Sequence, residues 1–164
     1  MPIFLHISEK TYFCTLMRAE EENTVKQLPD VMPSRLLNTK LACEYCHGKG
    51  SGACIQKDDM QELYPLMAEA DVLVLAAPIY YFTLSAQIQA PIQRMYCVNA
   101  PAKVKKMALL MSSYSPGVYD GVLAEFRDIC NYWQAENMGH VTAKIDEQKT
   151  EATKQKIVEL VKKL

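Results

Sequence analysis

The sequence predicts an α/β protein, a parallel sheet with helices on both faces. Two observations predict it. The runs at 72–77 (Val72, Leu73, Val74, Leu75, Ala76, Ala77) and 104–112 are rich in apolar strand formers and lack a regular polar alternation. That is the pattern of strands covered on both faces. Around them, strand-like segments alternate with segments whose apolar residues recur every three or four positions, strand then helix five times over. Such alternation implies a parallel sheet joined by crossover helices. At 164 residues the chain is expected to form a single domain, 1–164, with enough length for a substantial core.

Residues 2–7 alternate weakly and read as the first strand. Residues 15–28 read as a helix, with Leu16, Ala19, Val25 and Leu28 as a thin apolar stripe and Glu20, Glu21 and Glu22 on a solvated face. Pro29, Asp30 and Pro33 mark its exit, and 35–41 is the second strand by position. Asp58 and Asp59 open a helix whose core face is Met60, Leu63, Leu66 and Met67; carboxylates there suit the helix dipole. The central strand, 72–77, is ended by Pro78. Thr83 or Ser85 caps a helix through Ala86, Ile88, Ala90, Ile92 and Met95, with a kink expected at Pro91. After the next strand, 104–112, a helix at 122–135 carries Leu123, Phe126, Ile129, Cys130 and Trp133 on one stripe. Asn137, Met138 and Gly139 stop it, 140–145 is the last strand, and 146–164 a terminal helix burying Ile157, Leu160, Val161 and Leu164.

Composition narrows the function. A net charge of −1 with scattered basic residues leaves no footprint for nucleic acid. No apolar run approaches the roughly 18 residues that a membrane span needs. The start, MPIFLHIS, lacks the charged region and small-residue cleavage site of a signal peptide. With a sizeable core and no export signal, the six cysteines are expected as reduced thiols in the cytoplasm.

Three stretches carry chemistry. Ile79, Tyr80, Tyr81 and Phe82 follow the central strand directly, and the carboxyl end of a central strand is where open α/β sheets bind ligands. The 104–112 strand ends in a second polar loop, Ser113 to Gly121, with Tyr114, Gly117 and Tyr119. For each residue there, a ligand contact and an ordinary strand-to-helix turn are both open. Cys43, Cys46 and Cys54 have the spacing C-x2-C-x7-C with His47 adjacent, in a loop with Gly48, Gly50 and Gly52. Three readings stand: a glycine-rich loop with unliganded thiols, a zinc site using the cysteines and His47, or an iron–sulfur cluster, which normally needs four thiolates. The first, with no metal, is favoured; Cys43, Cys46 and Cys54 are the candidates if one binds.

The segment PIYYFTLSAQIQAPIQRMY, preceded by CEYCHGKGSGACIQKDDM, resembles the NADPH-dependent FMN reductases and iron–sulfur flavoproteins. The resemblance covers about residues 35–141. It implies a flavodoxin-like three-layer sandwich, a five-stranded parallel sheet in the order 2-1-3-4-5. It also implies FMN as cofactor and NAD(P)H as co-substrate, with hydride or electrons passed to a quinone, a flavin or another small acceptor. The flavin-contacting residues it implies are Pro78, Ile79, Tyr80, Tyr81 and Phe82, then Ser113, Tyr114, Gly117 and Tyr119 at the ring edge. Its phosphate loop maps to residues 8–15, where Ser8, Lys10 and Thr15 would hold the phosphate. That loop departs from the family pattern: its glycine and asparagine are replaced by Phe13 and Cys14, and glycine matters where a phosphate approaches the backbone closely. The departure keeps open a second reading, a degenerate domain with weak or no FMN binding that serves as a binding or electron-transfer partner. Family members are commonly dimers or tetramers, so a homodimer or homotetramer is expected.

Overall fold

The computed structural model describes residues 13–20, 24–27 and 43–164. Strands β1 (Phe13–Glu20) and β2 (Thr24–Gln27) pair antiparallel. A 3-10 turn at Tyr45–His47 lies in the cysteine loop, and helix α1 (Met60–Glu69) follows it. Strand β3 (Val72–Tyr80) and the two-residue strand β4 (Thr83–Leu84) form a hairpin. Helix α2 (Ala86–Arg94) runs into a second 3-10 turn, Met95–Cys97. Strand β5 (Lys106–Ser113), helix α3 (Asp120–Trp133), strand β6 (Glu136–Lys144) and helix α4 (Glu151–Val161) complete the order. The sheet runs β2-β1-β3-β5-β6, with β4 beside the end of β3.

The fold is α/β and flavodoxin-like, but its sheet is mixed. Strands β3, β5 and β6 are parallel neighbours. The expected five parallel strands are not found among the described residues, because β1 runs antiparallel to β3, with Phe13 opposite Ala76 and Met17 opposite Val72. The helix expected at 15–28 is likewise replaced by β1 and β2. Its thin stripe competed with a nearly continuous apolar run at 12–17, which a doubly covered strand favours. The edge of β3 also offers a full backbone ladder, and such pairing overrides weak helix propensity. The strands expected at 2–7 and 35–41 lie outside the described residues.

Pro78 does not end the central strand; β3 continues through it to Tyr80. The described pairing with β1 stops at Ala76, so the missing N–H of Pro78 interrupts no described bond on that side. On the other side Pro78 stands opposite Ser112 of β5.

Side chains of β3 alternate between two cores. Leu73, Leu75 and Ala77 face Met107, Leu109 and the apolar stripes of α1, α2 and α3, with Phe126 and Met60 almost fully buried. Val72 and Val74 face the opposite way, toward Val141, Ile157 and Leu160 beneath α4. The helices thus cover both faces and leave the carboxyl ends of β3 and β5 at one edge.

Cys130 lies in the larger core, 3.9 Å from the sulfur of Met107. Burial pushes its thiol up to about 11 from an ordinary 9.0. The folded chain therefore holds this proton between pH 9 and 11 while the unfolded chain releases it. The resulting stability is fully present below pH 9 and is lost as pH rises through 11, a change on the order of 2 kcal/mol. Urea unfolding at pH 8, 9.5 and 11 is expected to show this decline, and Cys130→Ala to make it shallower, with Cys97, raised in the same way, supplying part of what remains. An equally steep decline in Cys130→Ala would assign the effect to other groups.

Candidate functional site

The edge formed by β3 and β5 carries two loops side by side. Pro78 and Ser112 are in register, so the chain leaving β3 and the chain leaving β5 emerge together. Ile79 pairs with Leu84 and Tyr80 with Thr83, which leaves Tyr81 and Phe82 as a two-residue hairpin loop. Both have positive φ, 47° and 66°. A two-residue hairpin with both central φ angles positive is the type I′ arrangement, whose preferred residues are asparagine and glycine. Bulky side chains there are strained, and such strain concentrates at ligand clamps. Thr83 Oγ1 donates to the Tyr80 carbonyl at 3.1 Å and braces the turn.

The turn presents aromatic surface to solvent. Tyr81 is 96% exposed, and Tyr80 and Phe82 are more than half exposed. Across the edge, Tyr114 is 85% exposed. The two loops touch where α3 begins. A Cβ built on Gly121 would stand 3.3 Å from the Phe82 carbonyl oxygen, so the absence of a side chain lets α3 approach the turn. Ser113, itself buried, accepts a hydrogen bond at Oγ from the Ser115 N–H at 3.1 Å. Gly117 has φ +71°, a conformation costly for any other residue. The Tyr119 hydroxyl donates to the Ala143 carbonyl at 3.4 Å. Burial, helped by Glu147, raises the pKa of this phenol. Ser85, at the start of α2 just past the turn, is buried with no hydrogen-bond partner for its Oγ.

Of the residues singled out in the sequence, Pro78, Ile79, Tyr80, Tyr81, Phe82, Ser113, Tyr114, Gly117 and Tyr119 therefore gather at one sheet edge. Ile79 is the exception in orientation, since its side chain is buried in the larger core. Thr15 does not join them. It pairs with Val74, six residues before Tyr80 along β3, about 20 Å below the turn at ~3.3 Å per residue. Ser8 and Lys10 lie outside the described residues.

The cysteine segment folds onto the far end of α2. Cys43 is exposed, Cys46 and Cys54 are half-buried, and Cys97 is buried, all four as free thiols. They line one small cavity together with Tyr64 and Arg94. His47 is turned toward Tyr96: its Nε2 lies 2.8 Å from the Tyr96 carbonyl oxygen, and the two rings meet edge to face with centroids 4.4 Å apart. Among the described residues, no three His, Cys, Asp or Glu side chains are grouped to hold a metal ion.

Sequence reading missed Arg94. Its side chain is 4% exposed and Asp58 5% exposed, and they form a two-pronged ion pair at 2.6 and 3.1 Å. Arg94 also donates to Cys54 Sγ at 3.3 Å, and its carbonyl accepts from the Tyr64 hydroxyl at 3.0 Å. Burial works against the guanidinium, but the hydrogen bonds to Asp58 and Cys54 outweigh it and raise its pKa further. Asp58 also accepts from the Met60 N–H at 3.2 Å, so its helix-opening role is real but incomplete. The available signal was a cation at 94, three and four positions from the buried Pro91 and Ala90 on the helix face.

The family model described as NADPH-dependent FMN reductase matches residues 15–150. An iron–sulfur flavoprotein of Archaeoglobus fulgidus is 39% identical over 77 residues, 46% of this chain and 34% of the relative. One of Methanocaldococcus jannaschii is 34% identical over 64 residues, 39% of this chain and 32% of the relative. The chain thus spans about a third of the length of these curated relatives. Among solved structures, the apo form of an NADH:FMN oxidoreductase superposes with a TM-score of 0.52 at 13% identity, covering 77% of this chain and 66% of the other. At that identity the likeness establishes the fold alone.

Proposed function

The chain belongs to the NADPH-dependent FMN reductase family, and from that premise we propose that it binds FMN at the aromatic sheet edge and works as an NAD(P)H-dependent oxidoreductase. The observation that carries this reading is the meeting of the strained Tyr81–Phe82 turn and the 113–119 loop at one edge, with exposed ring faces on both. Bound FMN supplies the redox chemistry, accepting a hydride from NAD(P)H and passing electrons to a quinone, a flavin or another small molecule.

The described residues fit the ring end of such a cofactor. Tyr80, Tyr81 and Phe82 offer faces to cover it, and Tyr114 does so from the neighbouring loop. Pro78 and Ile79 set where the turn begins, with the Ile79 side chain anchoring it in the core. The backbone of Tyr81 and Phe82 stands outside the strand register and is available to polar ring-edge atoms. Ser113 and Gly117 shape the adjoining loop, and the Tyr119 phenol, which holds its proton more tightly than an ordinary phenol, ties that loop to β6. At the phosphate end, Ser8 and Lys10 are the proposed contacts; Thr15, in mid-strand, is withdrawn from that role. No side chain is assigned a proton-transfer step, and the protein's contribution is to position the ring and exclude water.

The reading includes a single domain that works as a homodimer or homotetramer in the cytoplasm. The five cysteines whose side chains are described, Cys43, Cys46, Cys54, Cys97 and Cys130, are free thiols. No helix among the described residues is long and apolar enough to cross a membrane.

The test is the absorbance spectrum of the purified protein before and after adding FMN and desalting. Flavin bands that survive desalting, with NAD(P)H oxidation that depends on them, are the expected result. A colourless protein that retains no FMN would sink the proposal and favour the binding-partner reading.

A further inference from the structure

The thiol cavity at the end of α2 lies outside the aromatic edge, and the proposed flavin chemistry makes no use of it. α2 has nine residues, so the cavity and the turn are separated by about 14 Å of helix at ~1.5 Å per residue. The cavity volume is about 30 Å³, room for a molecule of the size of water or peroxide and not for an organic substrate.

Two of its thiols come from the two segments that close it: Cys46, in the 3-10 turn of the cysteine loop, and Cys97, in the 3-10 turn after α2. Three hydrogen bonds clamp these segments together. The Tyr96 hydroxyl donates to Glu44 Oε2 at 2.8 Å, His47 Nε2 meets the Tyr96 carbonyl at 2.8 Å, and Cys97 Sγ donates to the Gly52 carbonyl at 3.1 Å. The residues flanking Cys46 are thus tied to Cys97 or to its neighbour. Gly50 locks the loop from within, since a Cβ there would stand 2.5 Å from the Ala53 carbonyl oxygen. The pair is also asymmetric: Cys46 is half-buried, while Cys97 is only 6% exposed.

We propose that Cys46 and Cys97 form a dithiol–disulfide couple oxidised by a hydroperoxide. The accessible Cys46, as thiolate, attacks the peroxide oxygen; the O–O bond breaks, and Cys46 becomes a sulfenic acid as water or an alcohol departs. Cys97 then attacks the Cys46 sulfur, the S–S bond forms, and the hydroxyl leaves as water with the Cys97 proton. Two thiols lose two electrons in all, and the peroxide gains them. Burial, aided by Cys46, pushes the Cys97 thiol up to about 11, which keeps it protonated near neutral pH and leaves the first attack on peroxide to the more accessible Cys46. The disulfide fastens the cysteine loop to the end of α2.

The test is to treat the reduced full chain, freed of reductant, with a small excess of hydrogen peroxide. Thiols are counted after denaturation, and the unreduced chain is digested and mapped by mass spectrometry. The expected result is a loss of two thiols per chain and about 2 Da, with the Cys46 and Cys97 peptides joined and both thiols restored by dithiothreitol. Cys46→Ser and Cys97→Ser abolish the paired loss, whereas Cys43→Ser and Cys130→Ser keep it. If the buried Cys97→Ser does not fold, the half-exposed Cys46→Ser decides. A bond from Cys46 to Cys43 or Cys54, a bond between chains, stable oxygen addition without a disulfide, or one equivalent of zinc holding the thiols would each overturn the proposal. Thiol count and peptide map do not depend on flavin, so this test and that of FMN binding fail separately.

Discussion

Replacing Arg94 by methionine is expected to lower the unfolding free energy by about 3–5 kcal/mol, read as a fall in the urea midpoint. The methionine keeps most of the volume, so the loss comes from charge and hydrogen bonding and not from a cavity. It leaves the Asp58 carboxylate, 5% exposed, without the guanidinium that meets both its oxygens. A buried charge stripped of its partner costs about this much, whereas removing both partners together is often near neutral. Combining Arg94→Met with Asp58→Leu is therefore expected to recover a large part of the loss, the non-additivity of two groups that touch. Cys54 also loses its guanidinium donor, so the recovery is incomplete. A single-variant loss below about 1 kcal/mol would mean that water reaches Asp58 and that the pair is a surface one. Because a domain of this size has roughly 5–15 kcal/mol of total stability, the single variant approaches the limit of folding.

Replacing Tyr81 by asparagine and Phe82 by glycine is expected to raise stability and to weaken FMN together. Each bulky residue in the left-handed region costs roughly 1–2 kcal/mol, and Asn-Gly is the preferred pair for a type I′ hairpin. The packing of the two rings is given up in exchange, so the net gain is expected near 1–2 kcal/mol, on the scale of a well-chosen turn replacement. The same change removes two rings from the proposed flavin-covering surface. Stacking of an aromatic side chain on a flat heterocycle is worth about 1–3 kcal/mol, so FMN affinity is expected to fall at least tenfold. Flavin fluorescence titration reads the second effect and urea unfolding the first. Unchanged FMN affinity would show that Tyr81 and Phe82 do not cover the ring. A fall in stability would show that the turn is not strained. Opposite shifts in the two measurements are what a site that keeps strain for binding must give.

The two loops at the sheet edge were legible because their signals are local. An apolar run that ends in Pro78, Ile79 and three aromatics marks a strand surfacing, and Ser113 to Gly121 marks a turn, whatever the rest of the chain does. The strand boundary was not legible. Whether Pro78 ends β3 or lies within it depends on which neighbours need its N–H, and the described β1 pairing stops at Ala76. Arg94 was obscured for a similar reason. A cation on an apolar helix face announces burial only when the partner is known, and Asp58 already had a sufficient local explanation as a helix-opening carboxylate. The fourth thiol of the cavity, Cys97, stood outside the C-x2-C-x7-C spacing and joined it only because α2 carries it back to the loop.

By itself the sequence determined the α/β class, the central strand and the helices from Met60 onward, since hydrophobic periodicity and turn residues act over a few positions. The tertiary structure decided the direction of β1, which took the open edge of β3 antiparallel where the sequence suggested a helix. It decided that Thr15 lies far below the aromatic edge, and it brought Asp58 to Arg94 and Cys46 and Cys97 to one cavity. Those outcomes rest on backbone ladders and buried polar contacts between segments distant in the chain. No local pattern encodes them, because each partner is stable in its place only when the other is already there.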